Sequence, residues 1–176
     1  MIQRFCTALA VLLGATSAGC AQSDEGSLSW QAVGALVERE FPGVESISTD
    51  SLAAWLERPS PPLLLDARQP EEYAVSHLPG AVRVDPDAPA EALADALGGM
   101  DRDRPVVVYC AVGYRSAGVA ERLEEAGFAD VQNLAGSIFQ WANEGRVVVR
   151  DGEPVREVHP YDATWGRLLD GELHPE

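Results

Sequence analysis

Lysine is absent from this chain of 176 residues, and all 13 of its basic residues are arginine. The 28 acidic residues outnumber them and give a formal net charge of −15. These acidic residues are spread along the chain and are not gathered in a tail. Because nucleic acids and anionic membrane surfaces bind basic patches, the charge argues against both as partners.

Long hydrophobic runs are also missing, apart from one stretch near the N-terminus. There Arg4 precedes an apolar segment from Phe5 to about Leu13, and small residues follow, which is the order of a secretory signal peptide. The apolar segment is too short to remain as a membrane-spanning helix. We therefore expect residues 1–20 to be a signal peptide and the protein to be exported to the bacterial periplasm.

The end of this predicted signal resembles a bacterial lipobox. Residues 17–20 read Ser-Ala-Gly-Cys, with Ser17 at the position where that motif usually has leucine. In a lipoprotein, Cys20 would become the lipid-bearing first residue and the protein would be anchored to a membrane. Ordinary cleavage near Ala18 or Ala21 is the alternative, and it would release a periplasmic or secreted protein.

Cysteine is scarce: the chain has three, Cys6, Cys20 and Cys110. The first two fall in or at the end of the predicted signal, so the folded part has one cysteine and no disulfide framework. The three histidines lack the spacing of metal ligands, and we expect no metal site and no cofactor; they are His77, His159 and His174. Cys110 is then the candidate functional thiol, although a single cysteine is often buried and inert.

Short apolar runs alternate with helical patterns along the rest of the chain. The runs predict strands at 63–67, 81–84, 105–110 and 131–134. The helical patterns cover 30–41, 50–57, 71–76, 90–97, 116–126 and 138–143. This alternation predicts an α/β fold whose mostly parallel sheet is covered by helices on both faces.

Cys110 ends the strand "PVVVYC", and the next helix is predicted to begin near Ser116. In an open α/β sheet the active site lies beyond the carboxyl ends of the strands. The loop 111–115 would therefore direct backbone N–H groups at the sulfur, and the helix would add the positive end of its dipole. In such places the pKa of a thiol can fall from ~8.5 to between about 3.5 and 7.5. Gly113 permits the tight curvature, and Arg115 supplies a planar cation that can hold an oxyanion.

Three stretches of the chain resemble the successive signatures of single-domain rhodaneses. They are "DARQPEEYAVSHLPGA" at 66–81, "YCAVGYRS" at 109–116 and "GFADVQNLAGSIFQW" at 127–141. The resemblance covers roughly 44–149 and implies the rhodanese-like three-layer fold. Together with the predicted signal, it divides the chain into four parts: the signal peptide 1–20, of the lipoprotein type if Cys20 is lipidated, a leader and N-terminal helix at 21–43, a rhodanese domain at 44–149, and a C-terminal hairpin strand and tail at 150–176, which we expect to pack on the domain.

The resemblance also implies roles for individual residues. Cys110 matches the cysteine that carries a persulfide, and Arg115, the second catalytic candidate, matches the loop that cradles the substrate. Substrate would be cradled by the amides of the loop, which are those of Ala111, Val112, Gly113, Tyr114 and Ser116. Asp66 and Arg68 would brace the site, together with Glu72, His77 and Gly80. Rhodaneses that handle thiosulfate well often carry an extra basic residue in the loop, whereas here Ala111 and Val112 are neutral and Tyr114 is bulky.

Three functions from different classes are compatible with these residues. The favoured one is a rhodanese-type thiosulfate sulfurtransferase that moves sulfane sulfur from thiosulfate or a persulfide or polysulfide to a thiol or cyanide, through a Cys110 persulfide. The second is a cysteine phosphatase or arsenate reductase, but those proteins have five residues between Cys and Arg and this loop has four. The third is a non-catalytic binding module, which the presence of both Cys110 and Arg115 disfavours.

The remaining candidates have structural interpretations. Asp66 and Glu72 resemble paired carboxylates but are expected to form an ion-pair network with Arg68. A protease dyad of Cys110 with His159 has no other support in the sequence. The tryptophans are expected to be packing anchors; they are Trp30, Trp55, Trp141 and Trp165.

Overall fold

A parallel sheet of five strands forms the centre of the structure, a computed structural model that describes residues 28–176. The strands are β1 (Glu45–Ile47), β2 (Leu63–Asp66), β3 (Val82–Arg83), β4 (Val106–Tyr109) and β5 (Val131–Leu134). Their order in the sheet is β1-β5-β4-β2-β3, and every neighbouring pair is parallel. All residues of β2 and β4 are buried, as expected for strands covered on both faces.

Helices cover both faces of this sheet. They are α1 (Trp30–Glu40), α2 (Thr49–Leu56), α3 (Pro70–Val75), α4 (Ala90–Ala96), α5 (Tyr114–Glu125) and α6 (Ser137–Asn143). Successive side chains of a strand point to opposite faces, and along β4 Val107 and Tyr109 join one hydrophobic cluster while Val106 and Val108 join another. The first cluster includes side chains of α1, α2 and α6, and the second includes those of α4 and α5. The predicted three-layer α/β architecture is confirmed.

The C-terminal segment folds back on this domain. An antiparallel hairpin forms from β6 (Val148–Arg150) and β7 (Glu153–Val155), with its turn at Asp151 and Gly152. Two short 3-10 helices follow, Trp165–Leu168 and Gly171–Leu173. Apolar side chains of this segment are buried in the hydrophobic cluster that also contains side chains of α1 and α6; they are Val158, Leu169 and Leu173.

Three details differ from the predicted elements. Strand β1 was not predicted, because Glu45 and Ser46 are exposed and the stretch has no apolar run. Strand β4 ends at Tyr109, one residue before Cys110, because the Cys110 N–H leaves the sheet and donates to Ser137 Oγ at 3.1 Å. Helix α5 begins at Tyr114 and not near Ser116, because Gly113 caps it in a left-handed conformation. Arg115 therefore belongs to the first turn of the helix.

The predicted signal peptide, Cys20 and residues 21–27 of the leader lie outside the described residues. Over residues 28–176, no helix has the length and apolar character needed to cross a membrane.

Candidate active site

Cys110 lies at the carboxyl end of β4, at the bottom of the loop that leads into α5. The residue is only 1% exposed. The N–H of Gly113 donates to its Sγ at 3.1 Å, and Ser116 in the first turn of α5 lies beside it. Gly113 adopts φ +111°, which is strained for any residue with a Cβ, so the curvature that aims its N–H at the sulfur depends on glycine.

These contacts change the ionisation of the thiol. Burial by itself raises the pKa of Cys110, but the positive charge of Arg115 and the polar groups of Ser116 and Gly113 together outweigh burial. The pKa of the Cys110 thiol therefore lies below its ordinary value. A larger fraction of the residue is then thiolate, which is the nucleophilic form.

Ser116 acts on the sulfur through its backbone. Its hydroxyl approaches Sγ, but it also donates to Oδ1 of Asn133 at 2.7 Å. Since a hydroxyl has one proton, we assign that proton to Asn133, where the geometry is that of a good hydrogen bond. The Ser116 side chain is fully buried below the loop. The predicted contact of this residue with substrate can therefore involve only its backbone amide.

The loop is held from behind by β5 and the start of α6. Ser137 Oγ accepts the N–H of Cys110 and donates to the carbonyl of Leu134 at 3.0 Å. The N–H of Ile138 donates to the Cys110 carbonyl at 3.2 Å, and Asn133 Nδ2 donates to the Gly113 carbonyl at 3.0 Å. These bonds satisfy the loop carbonyls on the side of β5 and α6. As a result, the N–H groups of the loop stay turned toward the sulfur. Asn133 and Ser137 fall in the third signature stretch, but no local pattern indicated these roles.

Arg115 is engaged by a carboxylate. Its Nη1 and Nη2 donate to the two carboxylate oxygens of Glu72 at 2.6 and 2.7 Å. Burial alone would raise the pKa of Glu72, but Arg115 more than compensates and holds it below the usual value. The ring of Tyr161 covers the guanidinium, with 4.5 Å between its centroid and Cζ. The predicted ion-pair network thus divides into two pairs, and Glu72 binds Arg115 and not Arg68.

The second pair, Asp66 and Arg68, lies beneath the site. Both side chains are fully buried, and Arg68 donates to the Asp66 carboxylate at 2.8 and 2.6 Å. Arg68 also donates to the carbonyl of Ser76 at 2.6 Å and lies 5.8 Å from the ring centroid of Tyr109, the residue before Cys110. These contacts fit a bracing role, because they connect β2, β4 and the chain after α3.

A cavity of about 80 Å³ opens above the sulfur. Its walls are loop and tail residues: Cys110, Ala111, Val112, Tyr114, Arg115, Tyr161 and Trp165. Two of them come from the C-terminal segment, and the sequence carries no signal for where on the domain that segment packs. Trp165 was expected only to be a packing anchor, and this was incomplete: its ring also forms part of the cavity wall.

The histidines lie in structural positions. His77 stacks on Tyr73 with 3.9 Å between ring centroids, and its backbone pairs with that of Val149. His159 Nδ1 accepts the N–H of Tyr161 at 3.0 Å. Among residues 28–176, His, Cys, Asp and Glu side chains form no group of three or more that could hold a metal ion.

A larger groove of about 480 Å³ lies beside α1 and shares Val112 and Gly113 with the loop. Cys110 does not line it, so the chemistry belongs to the smaller cavity.

The fold and the site together define an α/β protein with an ionisable thiol held in a loop of backbone N–H groups. Residues 48–144 match the rhodanese-like domain family, and the chain belongs to that family. The resemblance noted in its three signature stretches is therefore confirmed.

Individual relatives agree with this assignment. The chain is 33% identical over 106 residues to a sulfurtransferase of Allochromatium vinosum, an alignment that covers 60% of this chain and 95% of that protein. It is 30% identical over 92 residues to the thiosulfate sulfurtransferase GlpE of Pseudomonas fluorescens, covering 52% and 81% of the two chains. A rhodanese-like domain protein from Staphylococcus aureus is similar in structure, with a TM-score of 0.51, 31% identity, and 61% and 99% of the two chains covered. At the level of the family, these relatives support a rhodanese-type sulfurtransferase.

Proposed function

We propose that this protein is a sulfurtransferase that moves sulfane sulfur through a persulfide on Cys110. The donor is thiosulfate or a persulfide or polysulfide, and the acceptor is a thiol or cyanide. The observation that carries the proposal is the environment of Sγ: the Gly113 N–H at 3.1 Å and the charge of Arg115 favour a thiolate at the bottom of a cavity. Relatives named as sulfurtransferases add support.

The first half of the reaction loads the cysteine. The Cys110 thiolate attacks the outer sulfur of the donor, and the sulfur–sulfur bond of the donor breaks. The leaving group, sulfite from thiosulfate or a thiolate from a persulfide, departs with the electron pair. The N–H groups of the loop stabilise the terminal sulfur of the new persulfide, just as they stabilise the thiolate.

The second half unloads it. A thiolate or cyanide attacks the outer sulfur of the Cys110 persulfide, and the electron pair of the broken bond returns to Sγ as thiolate. Dividing one transfer into two displacements is ordinary covalent catalysis. No cofactor is needed, because the sulfur atom itself carries the group.

Replacement of the nucleophile tests this proposal. Purified protein lacking residues 1–20 is incubated with thiosulfate, inorganic polysulfide or glutathione persulfide, and its intact mass is measured. We expect a gain of one sulfur on the wild type, lost on addition of cyanide or a thiol. Cys110→Ser should gain none and show no transfer while keeping the wild-type melting temperature, since it changes little volume.

A Cys110→Ser variant with more than trace transfer would contradict the mechanism. Wild-type protein that takes up no sulfur from any of these donors would favour the binding module or the phosphatase class. Hydrolysis of an aryl phosphate by the same sample would separate those two.

We also propose that the protein is exported to the periplasm and that Cys20 is a site of lipidation. The order of charge, apolar stretch and small residues in positions 1–20 supports export. Expressed in full length in a Gram-negative host, the protein should lose its first residues, and mass spectrometry should find an acylated Cys20 at the new N-terminus. Cytosolic protein that retains Met1 would contradict export, and a free N-terminus at another residue would contradict lipidation.

A further inference from the structure

The C-terminal segment forms one side of the active-site cavity. The family match ends at residue 144, and Tyr161 and Trp165 lie well beyond it. Both residues line the cavity above Cys110, together with the loop residues Val112 and Tyr114. Part of the surface that a donor meets is therefore supplied by a segment outside the matched domain.

Local hydrogen bonds hold this wall in place. His159 Nδ1 accepts the N–H of Tyr161, whose backbone has φ +64°, a conformation that non-glycine residues adopt at a cost. Asp162 Oδ1 accepts the N–H groups of Thr164 and Trp165, each at 2.8 Å. Tyr161 and Trp165 are thus fixed by side chains within their own segment.

Long-range contacts attach the segment to the domain. Asn143 at the end of α6 donates to the Leu168 carbonyl at 2.8 Å and accepts the N–H of Asp170 at 2.9 Å. Val158 and Leu169 are buried in the main hydrophobic cluster. A segment anchored on both sides of its aromatic residues can act as a rigid wall.

The cavity is lined mainly by aromatic and apolar residues, and its one cation, Arg115, is already paired with a carboxylate. Arg115 is the only charged side chain among the residues that line it. Both terminal nitrogens of that guanidinium bond to Glu72, and the Tyr161 ring covers it. A dianion such as thiosulfate would have to compete with a buried carboxylate, in a protein whose net charge is −15.

The size of the cavity also bears on which donor can be bound. At about 80 Å³ it is far smaller than the roughly 300–1,000 Å³ of pockets that enclose a whole ligand. Only the sulfur end of a donor fits above Cys110. The remainder of the donor must contact the rim of the cavity, which is formed by Tyr114, Tyr161 and Trp165. Aromatic rims favour an apolar organic group.

We propose that Tyr161 and Trp165 are specificity-determining residues that make hydropersulfides with an apolar organic group better sulfur donors than thiosulfate or charged hydropersulfides. This inference rests on the proposed function. The Cys110 thiolate attacks the outer sulfur of R–S–SH, the S–S bond breaks, and R–S⁻ leaves with the electron pair and takes a proton from water. Cys110–S–SH remains, and no oxidant or reductant is consumed.

The test compares donors that share the reacting group. Benzyl hydropersulfide and 2-sulfonatoethyl hydropersulfide have the same S–SH end but differ in charge and shape, and thiosulfate is the third donor. For the wild type, kcat/KM should be highest for the benzyl donor. Tyr161→Ala should lower that value by about tenfold, because it removes a half-buried aromatic contact, and should leave the values for the two anionic donors unchanged or higher.

Further variants separate a specificity role from a merely structural one. Tyr161→Phe keeps the ring and should keep the wild-type preference, and Trp165→Ala should reduce it as Tyr161→Ala does. His159→Ala should weaken the preference by freeing the Tyr161 backbone, whereas His159→Asn, whose Oδ1 can accept the same N–H, should restore it. Glu172→Gln, an exposed change in the same segment, is the matched control. The pH at which alkylation of Cys110 by iodoacetamide reaches half its maximal rate should be the same in all of them, because none of these changes removes a group that stabilises the thiolate.

The outcomes distinguish this inference from the function on which it rests. If Tyr161→Ala slows all donors equally, or if the wild type prefers thiosulfate or the sulfonated donor, the aromatic wall does not set specificity and the inference is wrong. If no donor leaves a sulfur on Cys110 of the wild type, the proposed function itself fails. Tyr161 is 44% exposed, so its replacement by alanine is expected to leave the fold intact.

Discussion

Arg115 has two partners that compete for its charge. The carboxylate of Glu72 accepts hydrogen bonds from both terminal nitrogens of Arg115. The thiolate of Cys110 is stabilised by the part of the Arg115 charge that Glu72 does not neutralise. The sequence predicts that Arg115 can hold an oxyanion. Because both terminal nitrogens bond to Glu72, we expect stabilisation of the thiolate to be the larger effect of Arg115.

Arg115→Ala should slow transfer from thiosulfate and from benzyl hydropersulfide by similar factors, because it raises the pKa of Cys110. A charged interaction of about 1.5–3 kcal/mol corresponds to a loss on the order of ten- to a hundredfold near neutral pH. Arg115→Lys should recover part of the loss, since it keeps a point charge without the planar fork. The measurements are kcat/KM for both donors and the rate of Cys110 alkylation as a function of pH.

The pH profile provides the control for this interpretation. The alkylation rate follows the thiolate fraction, so removing Arg115 should move the profile to higher pH, and at a pH well above the thiol pKa the variant and the wild type should converge. A loss restricted to thiosulfate, with an unchanged alkylation profile, would instead assign Arg115 to donor binding.

The turn between β4 and α5 depends on Gly113. Its left-handed backbone caps the helix and aims its N–H at Sγ. A Cβ at this position would lie 3.4 Å from the Leu134 carbonyl oxygen, so the main cost of a side chain is conformational and not steric.

Gly113→Ala should therefore lower the free energy of unfolding by about 1–2 kcal/mol, the cost of placing a Cβ in the left-handed region. It should also raise the pKa of Cys110, because the N–H turns away from the sulfur, and shift the alkylation profile to higher pH. Gly43→Ala is the control, since that glycine has no left-handed φ and open space around it. An alanine variant with the wild-type profile would mean that the Gly113 N–H does not stabilise the thiolate.

The whole molecule is strongly acidic, with a net charge of −15. This field repels anionic reagents as they approach, while the N–H groups and Arg115 attract them close to the sulfur. Salt screens exposed charges over about 10 Å at 0.1 M ionic strength and affects buried contacts less.

Iodoacetate and iodoacetamide report which field dominates, since they alkylate the same thiol and differ in charge. Raising the salt concentration from 10 to 200 mM should increase the rate with iodoacetate severalfold and leave the rate with iodoacetamide unchanged, because screening removes the long-range repulsion. Cys110→Ser corrects for other sites of reaction. A rate with iodoacetate that falls with salt would show that the local positive field controls access.

Much of this protein was determined by the sequence alone. The apolar runs at 63–67, 105–110 and 131–134 predict buried parallel strands, because such strands cannot expose either face. The position of Cys110 between a strand and a helix predicts a thiol surrounded by N–H groups, because that conformation depends on a few adjacent residues. The boundaries of β4 and α5 were shifted by one or two residues, since the side chain of Ser137 decides where the Cys110 N–H leaves the sheet and Gly113 caps the start of α5.

The tertiary structure alone decided the partners of this loop. Glu72 lies 43 positions from Arg115, and they meet because β2 and β4 are neighbours in the sheet, so that the helices after them start side by side. Tyr161 and Trp165 reach the cavity because the tail buries Val158 and Leu169 behind them. Such contacts follow from the packing of distant elements, and the local hydrophobic pattern that predicts a strand or a helix carries no information about which side chains from elsewhere in the chain will cover it.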